Sequence, residues 1–194
     1  WDGRSGEQRT LLAGQQSFYA EWSPDGTRIL SYREADNTAT IWDAATGTRL
    51  LTLSGHAGRV YAFNGWSRDG TRIATASRDG TAKVWDATTG EELLSLSGHE
   101  GTVFRAEFSP DGLSIATSGS DGTARIWDAI SGEHLLTLQD HSDVIFDLAF
   151  SPDGQHLTTA SVDGTIRVHV LALEELRELT KSRLTRSWTP DECR

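Results

Sequence analysis

A histidine, a hydroxyl residue and a carboxylate recur together in this chain, which is the set that a serine-type hydrolase uses. His99, Thr117 and Asp121 form one example, offering a base, a hydroxyl and an orienting carboxylate. If these side chains met in the fold, the set could support nucleophilic hydrolysis.

The same set appears more than once, which argues against catalysis. His56, Thr75 and Asp79 precede Trp85 just as the first set precedes Trp127. A catalytic constellation has no reason to appear in every repeat, so we predict that the chain is not an enzyme. The residues predicted to be structural are His56, Thr75, Asp79, Trp85, His99, Thr117, Asp121, Trp127, His141, Thr159 and Asp163.

The chain repeats itself at a nearly fixed period. Trp-Asp pairs begin at Trp1, Trp42, Trp85 and Trp127, at intervals of 41, 43 and 42 residues. Four short strands and their turns occupy about 40 to 45 residues in one propeller blade. The repeat therefore favours an array of small sheets.

Turn signals run in step with the Trp-Asp pairs. The turns are Ser23-Pro24-Asp25-Gly26, Ser67-Arg68-Asp69-Gly70, Ser109-Pro110-Asp111-Gly112 and Ser151-Pro152-Asp153-Gly154. Pro sets φ for the second turn position, Asp bonds back to the backbone, and Gly accepts a positive φ. Each turn offers a single carboxylate, whereas a calcium loop needs several oxygen ligands, so we predict hairpin connectors, no metal and no cofactor.

The segments between turns have the composition of strands. Residues 71–77 and 113–119 are small and β-branched and end at Asp-Gly turns, and further short strands are predicted at Thr81–Trp85 and 91–96. Evenly spaced short strands predict an all-β fold.

In residues 1 to 170, units of Gly-His, Asp-Gly-Thr and Trp-Asp follow one another in fixed order, as at Gly98-His99, Asp121-Gly122-Thr123 and Trp127-Asp128. In this the chain resembles the WD40 family. The resemblance implies a WD40-type β-propeller with four-stranded blades around a central channel. It also implies that His, Ser or Thr, Asp and Trp form one hydrogen-bonded network in each blade.

The strands amount to about four blades of a larger, seven-bladed ring, followed by a short helix. We predict the end of a preceding blade at 1–12, blades at 13–53, 54–96 and 97–138, a last blade without its fourth strand at 139–170, and a helical tail at 171–194. The missing blades would belong to a longer parent chain. Alternatively, the N-terminal strand completes the last blade, in the same chain or in a neighbouring one, and two copies of the chain pair into an eight-bladed ring.

The outer repeats depart from the pattern. In the first, Gly14-Gln15 replaces Gly-His and Tyr32 stands at the hydroxyl position, so its network is predicted to be incomplete. In the last, His169-Val170 replaces Trp-Asp, and we predict that His169 pairs with Asp163 rather than binding a metal.

Propellers bind partners mainly through loops at one face, so the predicted function is protein-protein interaction by a scaffold or sensor module. The resemblance implies three binding positions per blade, and one of them is aromatic throughout. The predicted binding residues are Phe18, Arg59, Tyr61, Arg78, Thr102, Phe104, Ser120 and Phe146, with Val144 and Val162 at the corresponding positions of the last blade. The alternatives are that the rings pack in the channel wall, that the propeller binds a small molecule or is catalytic, or that it is a structural spacer.

Composition limits the partners. The formal net charge of −10 disfavours nucleic acid, and no apolar run is long enough for a membrane helix, which needs roughly 18 to 20 residues. Cys193 is the only cysteine, which leans toward a cytoplasmic protein.

Leucines at helical spacing predict an amphipathic helix from Leu173 to Leu184, with Glu174 facing Arg177 and Glu178 facing Lys181. Leu184–Thr189 and Glu192-Cys193 resemble the segment that closes WD40 arrays in bacterial multidomain proteins. That resemblance implies a bacterial docking or sensor module.

Overall fold

The chain is all-β with one short helix, as the sequence predicts. The structure is a computed structural model and describes residues 17–33, 37–61 and 64–178. Fifteen strands form four antiparallel sheets, in which each strand pairs with the next along the chain. The predicted end of a preceding blade at 1–12 lies outside the described residues.

Three sheets have four strands and the last has three. Sheet 1 contains β1 (Ser17–Trp22), β2 (Arg28–Arg33), β3 (Thr38–Asp43) and β4 (Arg49–Leu53). Sheet 2 contains β5 (Val60–Tyr61), β6 (Arg72–Ser77), β7 (Thr81–Asp86) and β8 (Glu92–Ser97). Sheet 3 contains β9 (Val103–Phe108), β10 (Ser114–Gly119), β11 (Ala124–Asp128) and β12 (His134–Leu138). Sheet 4 contains β13 (Ile145–Phe150), β14 (His156–Ser161) and β15 (Ile166–Val170).

The predicted Ser-x-Asp-Gly turns join the first and second strands of each sheet. In the first, Asp25 Oδ1 accepts hydrogen bonds from Ser23 Oγ at 2.6 Å and from Thr27 N at 3.0 Å. The glycines of all four turns have a φ of 69–72°, which glycine adopts without steric cost. This confirms the assignment of these segments as turns.

The core lies between neighbouring sheets. Between sheets 2 and 3, for example, Ala74 and Val84 of one sheet join a cluster with Ile115 and Trp127 of the next, and each is at most 3% exposed. Fully burying a Val or Ile side chain stabilises a fold by about 1.5–3 kcal/mol, so stacking of the sheets is the main source of stability.

Arginines tie sheet 1 to sheet 2 and sheet 2 to sheet 3. Arg28 of sheet 1 donates to the carbonyls of Gly70 and Ala87 in sheet 2, at 2.7 and 2.8 Å. Arg72 of sheet 2 donates in the same way to Gly112 and Ala129 of sheet 3, at 2.6 Å each.

The corresponding position of sheet 3 is Ser114, and a helix supplies the missing arginine. Helix α1 (173–178) follows β15, and its Arg177, 6% exposed, donates to Ser114 Oγ at 2.7 Å. Its guanidinium also contacts Asp111 at 3.2 Å and Glu174 at 3.4 Å, the second being the predicted i,i+3 pair. Leu173 and Leu176 pack in the core between sheets 3 and 4. The predicted continuation to Leu184 lies outside the described residues.

The part of the chain that the structure describes contains no helix that is long and apolar enough to cross a membrane.

Candidate functional site

One set of recurring polar residues meets inside sheet 3. Trp127 Nε1 donates to Thr117 Oγ1 at 2.8 Å, and Thr117 Oγ1 lies 2.8 Å from His99 Nε2. His99 Nδ1 in turn lies 3.0 Å from the Asp121 carboxylate. Asp121 also accepts Glu100 N, so it joins the loop before β9 to the turn between β10 and β11.

Sheets 2 and 4 repeat this geometry. His56 lies 2.9 Å from both Thr75 Oγ1 and Asp79, and Trp85 Nε1 donates to Thr75 at 2.8 Å. In sheet 4 the distances from His141 to Thr159 and to Asp163 are both 2.8 Å.

The hydrogen bonds fix the proton positions. A carboxylate can only accept, so the histidine Nδ1 carries the proton, and the neutral ring leaves Nε2 to accept from the threonine hydroxyl. Burial lowers the pKa of His56 and of His99, which outweighs the paired aspartates and favours the neutral ring. Burial opposes ionisation of Asp79 too, but hydrogen bonds from Thr81, His56 and Ala57 lower its pKa to about 2.

The hydroxyl of each set is closed off from solvent. Thr117 is 0% exposed, while Thr75 and Thr159 are each 1% exposed. Each hydroxyl also contacts a ring nitrogen on the third strand of its sheet: the Trp85 and Trp127 indoles donate to Thr75 and Thr117, and the His169 imidazole contacts Thr159. A nucleophile must reach a substrate carbonyl, and these oxygens cannot do so in this conformation.

The outer sheets correct two predictions. In sheet 1, Ser31, and not Tyr32, is the hydroxyl partner, because Trp42 Nε1 donates to Ser31 Oγ at 2.9 Å. The assignment to Tyr32 was wrong by one residue; the Tyr32 ring stacks on Tyr19, with centroids 5.9 Å apart. The Gly14-Gln15 step lies outside the described residues.

In sheet 4, His169 does not pair with Asp163. His169 Nε2 lies 3.1 Å from Thr159 Oγ1, which is the position of the indole nitrogen in the other sheets. Its Nδ1 lies 3.5 Å from Asp140. Asp163 bonds His141 instead. The prediction was wrong because the His169 ring occupies the same position in the sheet as the tryptophan indole of the other sheets.

The predicted binding positions on either side of the network also meet in pairs. We call the loop that starts at each network histidine the leading loop (56–59, 99–102 and 141–144). We call the turn that contains each network aspartate the inner turn (78–80, 120–122 and 162–164). One backbone hydrogen bond joins them in each sheet: Arg78 N to Arg59 O at 2.9 Å, Ser120 N to Thr102 O at 2.8 Å and Val162 N to Val144 O at 2.9 Å. These three pairs form what we call the rim.

The aromatic position lies beside the rim, at a bulge of the first strand. In β9 and β13 the register skips Phe104 and Phe146, and in β1 it skips Phe18, so the extra residue of each bulge is the aromatic. The Phe104 ring lies 5.7 Å from Tyr61 and 4.7 Å from Phe146, which joins three sheets in one row. Tyr61 and Phe104 are partly buried, whereas Phe146 is 53% exposed. The side chain of Phe18 lies outside what the structure describes.

The sequence pattern and the geometry match one repeat family. The description "WD domain, G-beta repeat" fits residues 47–86, 90–128 and 132–169, which is more than half of the chain. The chain belongs to the WD40 repeat family. Sheets 1 to 4 are therefore WD40 blades 1 to 4, and their fold is that of a β-propeller.

Parts of three proteins are similar to this WD40 chain. Protein tipD of Dictyostelium discoideum is 38% identical over 81 residues, which cover 41% of the chain and 13% of tipD. Ribosome assembly protein 4 of Chaetomium thermophilum is 42% identical over 57 residues, or 29% of the chain and 11% of that protein. Coronin-7 of Rattus norvegicus is 38% identical over 72 residues, or 36% of the chain and 8% of coronin-7. The chain thus matches only a small part of each of these eukaryotic relatives.

Two partly buried glutamates of the WD40 blades were missed by sequence reasoning. Glu21 of blade 1 accepts Gly65 N of blade 2 at 3.0 Å, and Glu107 of blade 3 accepts Phe150 N of blade 4 at 3.2 Å. Burial raises the pKa of Glu21 to about 7, even though backbone N–H groups of Gly65 and Trp66 stabilise the carboxylate. Glu21 and Glu107 occupy the same position of their first strands, and this coincidence was a signal that could have identified them.

Proposed function

We propose that the chain is a non-catalytic protein-interaction module that binds its partner at the rim and at Phe146. The observation that carries the proposal is that one hydrogen-bonded frame presents two arginines, two hydroxyl residues and two valines on three successive blades. Residues that build a frame recur, whereas residues that recognise a partner differ from blade to blade. This division favours recognition at the rim.

Burial supports the non-catalytic part of the proposal. The candidate nucleophiles that the repeated pattern indicates are the network threonines, and Thr75, Thr117 and Thr159 are each at most 1% exposed. Their contacts build each blade and offer no cleft in which a carbonyl could meet both the hydroxyl and an oxyanion-stabilising group.

The row of rings formed by Tyr61, Phe104 and Phe146 supports packing at Tyr61 and Phe104 and partner binding at Phe146. Tyr61 and Phe104 each contact rings on both sides, as wall residues would. Phe146 is half exposed, and Val162 on the same blade is 52% exposed. Exposed aromatic and aliphatic side chains that lie close together are typical of interaction surfaces.

The remainder of the proposal concerns the parent protein. We propose a cytoplasmic protein, bacterial according to the resemblance of its tail, in which the open edge of blade 4 meets further blades of the same chain or a second copy. In the described part, β15 pairs only with β14, and its Ile166, Val168 and Val170 are 63–81% exposed.

Site-specific photocrosslinking in cells of the source organism tests the binding face. A photoreactive phenylalanine analogue at position 146 should crosslink a discrete protein partner. The matched control is position 130, because Ile130 is 70% exposed but lies in the turn after Asp128 rather than at the rim. Equal crosslinking at both positions, or none at position 146, would contradict the proposal.

A further inference from the structure

We propose that the rim binds an extended acidic-apolar peptide segment, with a carboxylate over blade 2 and an apolar side chain over blade 4. This inference rests on the proposed function and specifies the chemistry of the partner. It follows from the way in which the rim changes from cationic to polar to apolar along three neighbouring blades.

Blade 2 supplies the cationic end. Arg78 is exposed, and the Arg59 guanidinium lies over the Tyr61 ring, 5.2 Å from its centroid. The carboxylate next in sequence, Asp79, is engaged by His56 and Thr81. Gly58 makes the close pairing possible, because a Cβ there would lie 2.8 Å from Asp79 N and 3.1 Å from the Arg78 carbonyl carbon. In a chain of net charge −10, the exposed guanidinium of Arg78 is a local attraction for an anion.

Blade 3 supplies hydroxyl groups between the two ends. Thr102 and Ser120 are partly exposed and are held together by the backbone bond between them. Gly101, with a φ of 107°, lies so close that a Cβ would be 2.5 Å from Ser120 Oγ. Hydroxyl groups donate and accept, so they suit the N–H and C=O groups of a peptide backbone.

Blade 4 supplies the apolar end. Val144 and Val162 are joined at the rim, and the half-exposed Phe146 lies beside them at the bulge of β13. An apolar side chain placed there would cover exposed valine and phenylalanine surface.

The spacing sets the length of the segment. The rings of blades 2, 3 and 4 follow one another at 5.7 and 4.7 Å. An extended chain advances about 3.3 Å per residue, so the carboxylate and the apolar side chain should be at least about three residues apart.

Selection from a random twelve-residue phage-displayed peptide library against the 194-residue chain tests the inference. We expect peptides with Asp or Glu at one end and Leu, Ile, Phe or Trp at the other. The Arg78→Glu variant should remove the preference for acids and weaken selected peptides about tenfold, as expected for loss of a charge-assisted contact. Phe146→Ser should remove the apolar preference. The matched control Arg68→Glu reverses an exposed charge in the turn between β5 and β6 and should change neither preference.

The outcomes separate the inference from the proposed function. Peptides that depend on Phe146 but show no acidic preference, or that depend on Phe146 and bind Arg78→Glu equally well, would overturn the inference and leave protein binding at this face intact. Recovery of no peptide above background, or only of peptides insensitive to both Arg78→Glu and Phe146→Ser, would contradict the proposed function itself. Circular dichroism of each variant confirms that the fold is retained.

Discussion

At the scale of single residues, the hydroxyl of each network threonine bonds two other side chains. Thr117 Oγ1 accepts the indole N–H of Trp127 and bonds His99, which in turn holds Asp121. Removing the hydroxyl would leave two buried polar groups without partners, and each such group costs about 1–3 kcal/mol. The set resembles a catalytic triad in its atoms but has the burial of a structural network.

Glu21 should make stability depend on pH in an unusual direction. Its pKa in the folded state, about 7, is raised above the ordinary value of 4.5, so ionisation above pH 7 disfavours the folded state, and this cost disappears as the pH falls from 7 toward 4.5. Glu21→Gln keeps an oxygen that can accept Gly65 N–H but removes the charge. We expect the variant to be more stable by about 1–2 kcal/mol at pH 8 and by much less at pH 4.5.

Urea unfolding at the two pH values measures this difference. Glu91→Gln, an exposed glutamate in the turn after Asp86, is the control and should show no gain that depends on pH. A gain for Glu21→Gln that is equal at pH 8 and pH 4.5 would mean that Glu21 is not held in a costly ionised state.

Sequence reasoning located the network residues but misjudged partners where the repeat is imperfect. The period placed His, Thr, Asp and Trp in register in blades 2 and 3, where their spacing is nearly constant. In blade 1, Ser31 lies eleven residues before Trp42 instead of ten, so counting from the pattern selected Tyr32. For His169, the sequence pattern predicted a hydrogen-bond partner. It could not show that the imidazole lies next to Thr159 of β14 and not next to Asp163.

At the scale of elements, helix α1 takes the place of a missing arginine. Arg28 and Arg72 start the second strands of blades 1 and 2 and bind two carbonyls of the next blade. Blade 3 has Ser114 there, and Arg177 fills the gap from the helix. The repeat of Gly-Thr-Arg-Ile at 26–29 and 70–73 was a signal for the first two contacts. No local pattern connects residue 177 with residue 114, which is why the third contact was not predicted.

A rescue experiment tests whether Arg177 takes the place of an arginine at position 114. Arg177→Ala should lower the free energy of unfolding by about 2–3 kcal/mol, because a buried hydrogen bond to Ser114 and a partly buried charge-assisted pair with Asp111 are lost. Adding Ser114→Arg should restore part of the loss, because an arginine there can reach Gly154 O and Leu171 O, the counterparts of the acceptors of Arg72. Chemical denaturation of the single and double variants measures both effects. If Ser114→Arg gives no recovery in the Arg177→Ala background, the two arginine positions are not equivalent.

At the scale of the whole molecule, the residues that repeat from blade to blade and the residues that differ between blades lie in different places. The networks and interblade cores lie inside the blades, while the rim presents different side chains on the same frame. The sequence predicted the all-β class, the turns and the position of the helix because these depend on local patterns. Exposure of Phe146 could not be predicted, because the bulge that directs this ring depends on how β13 pairs with β14, and the packing of Tyr61 depends on Phe104 of the next blade.

The most direct test of this separation is the free energy of unfolding of two variants only three residues apart in blade 3. Thr117→Val should lose about 2–4 kcal/mol, because the indole of Trp127 and the imidazole of His99 lose a buried partner. Ser120→Ala, at the rim, should change stability by no more than about 0.5 kcal/mol, as is usual for surface substitutions. Equal losses for the two variants, or a negligible loss for Thr117→Val, would contradict the division between a structural network and a recognition rim.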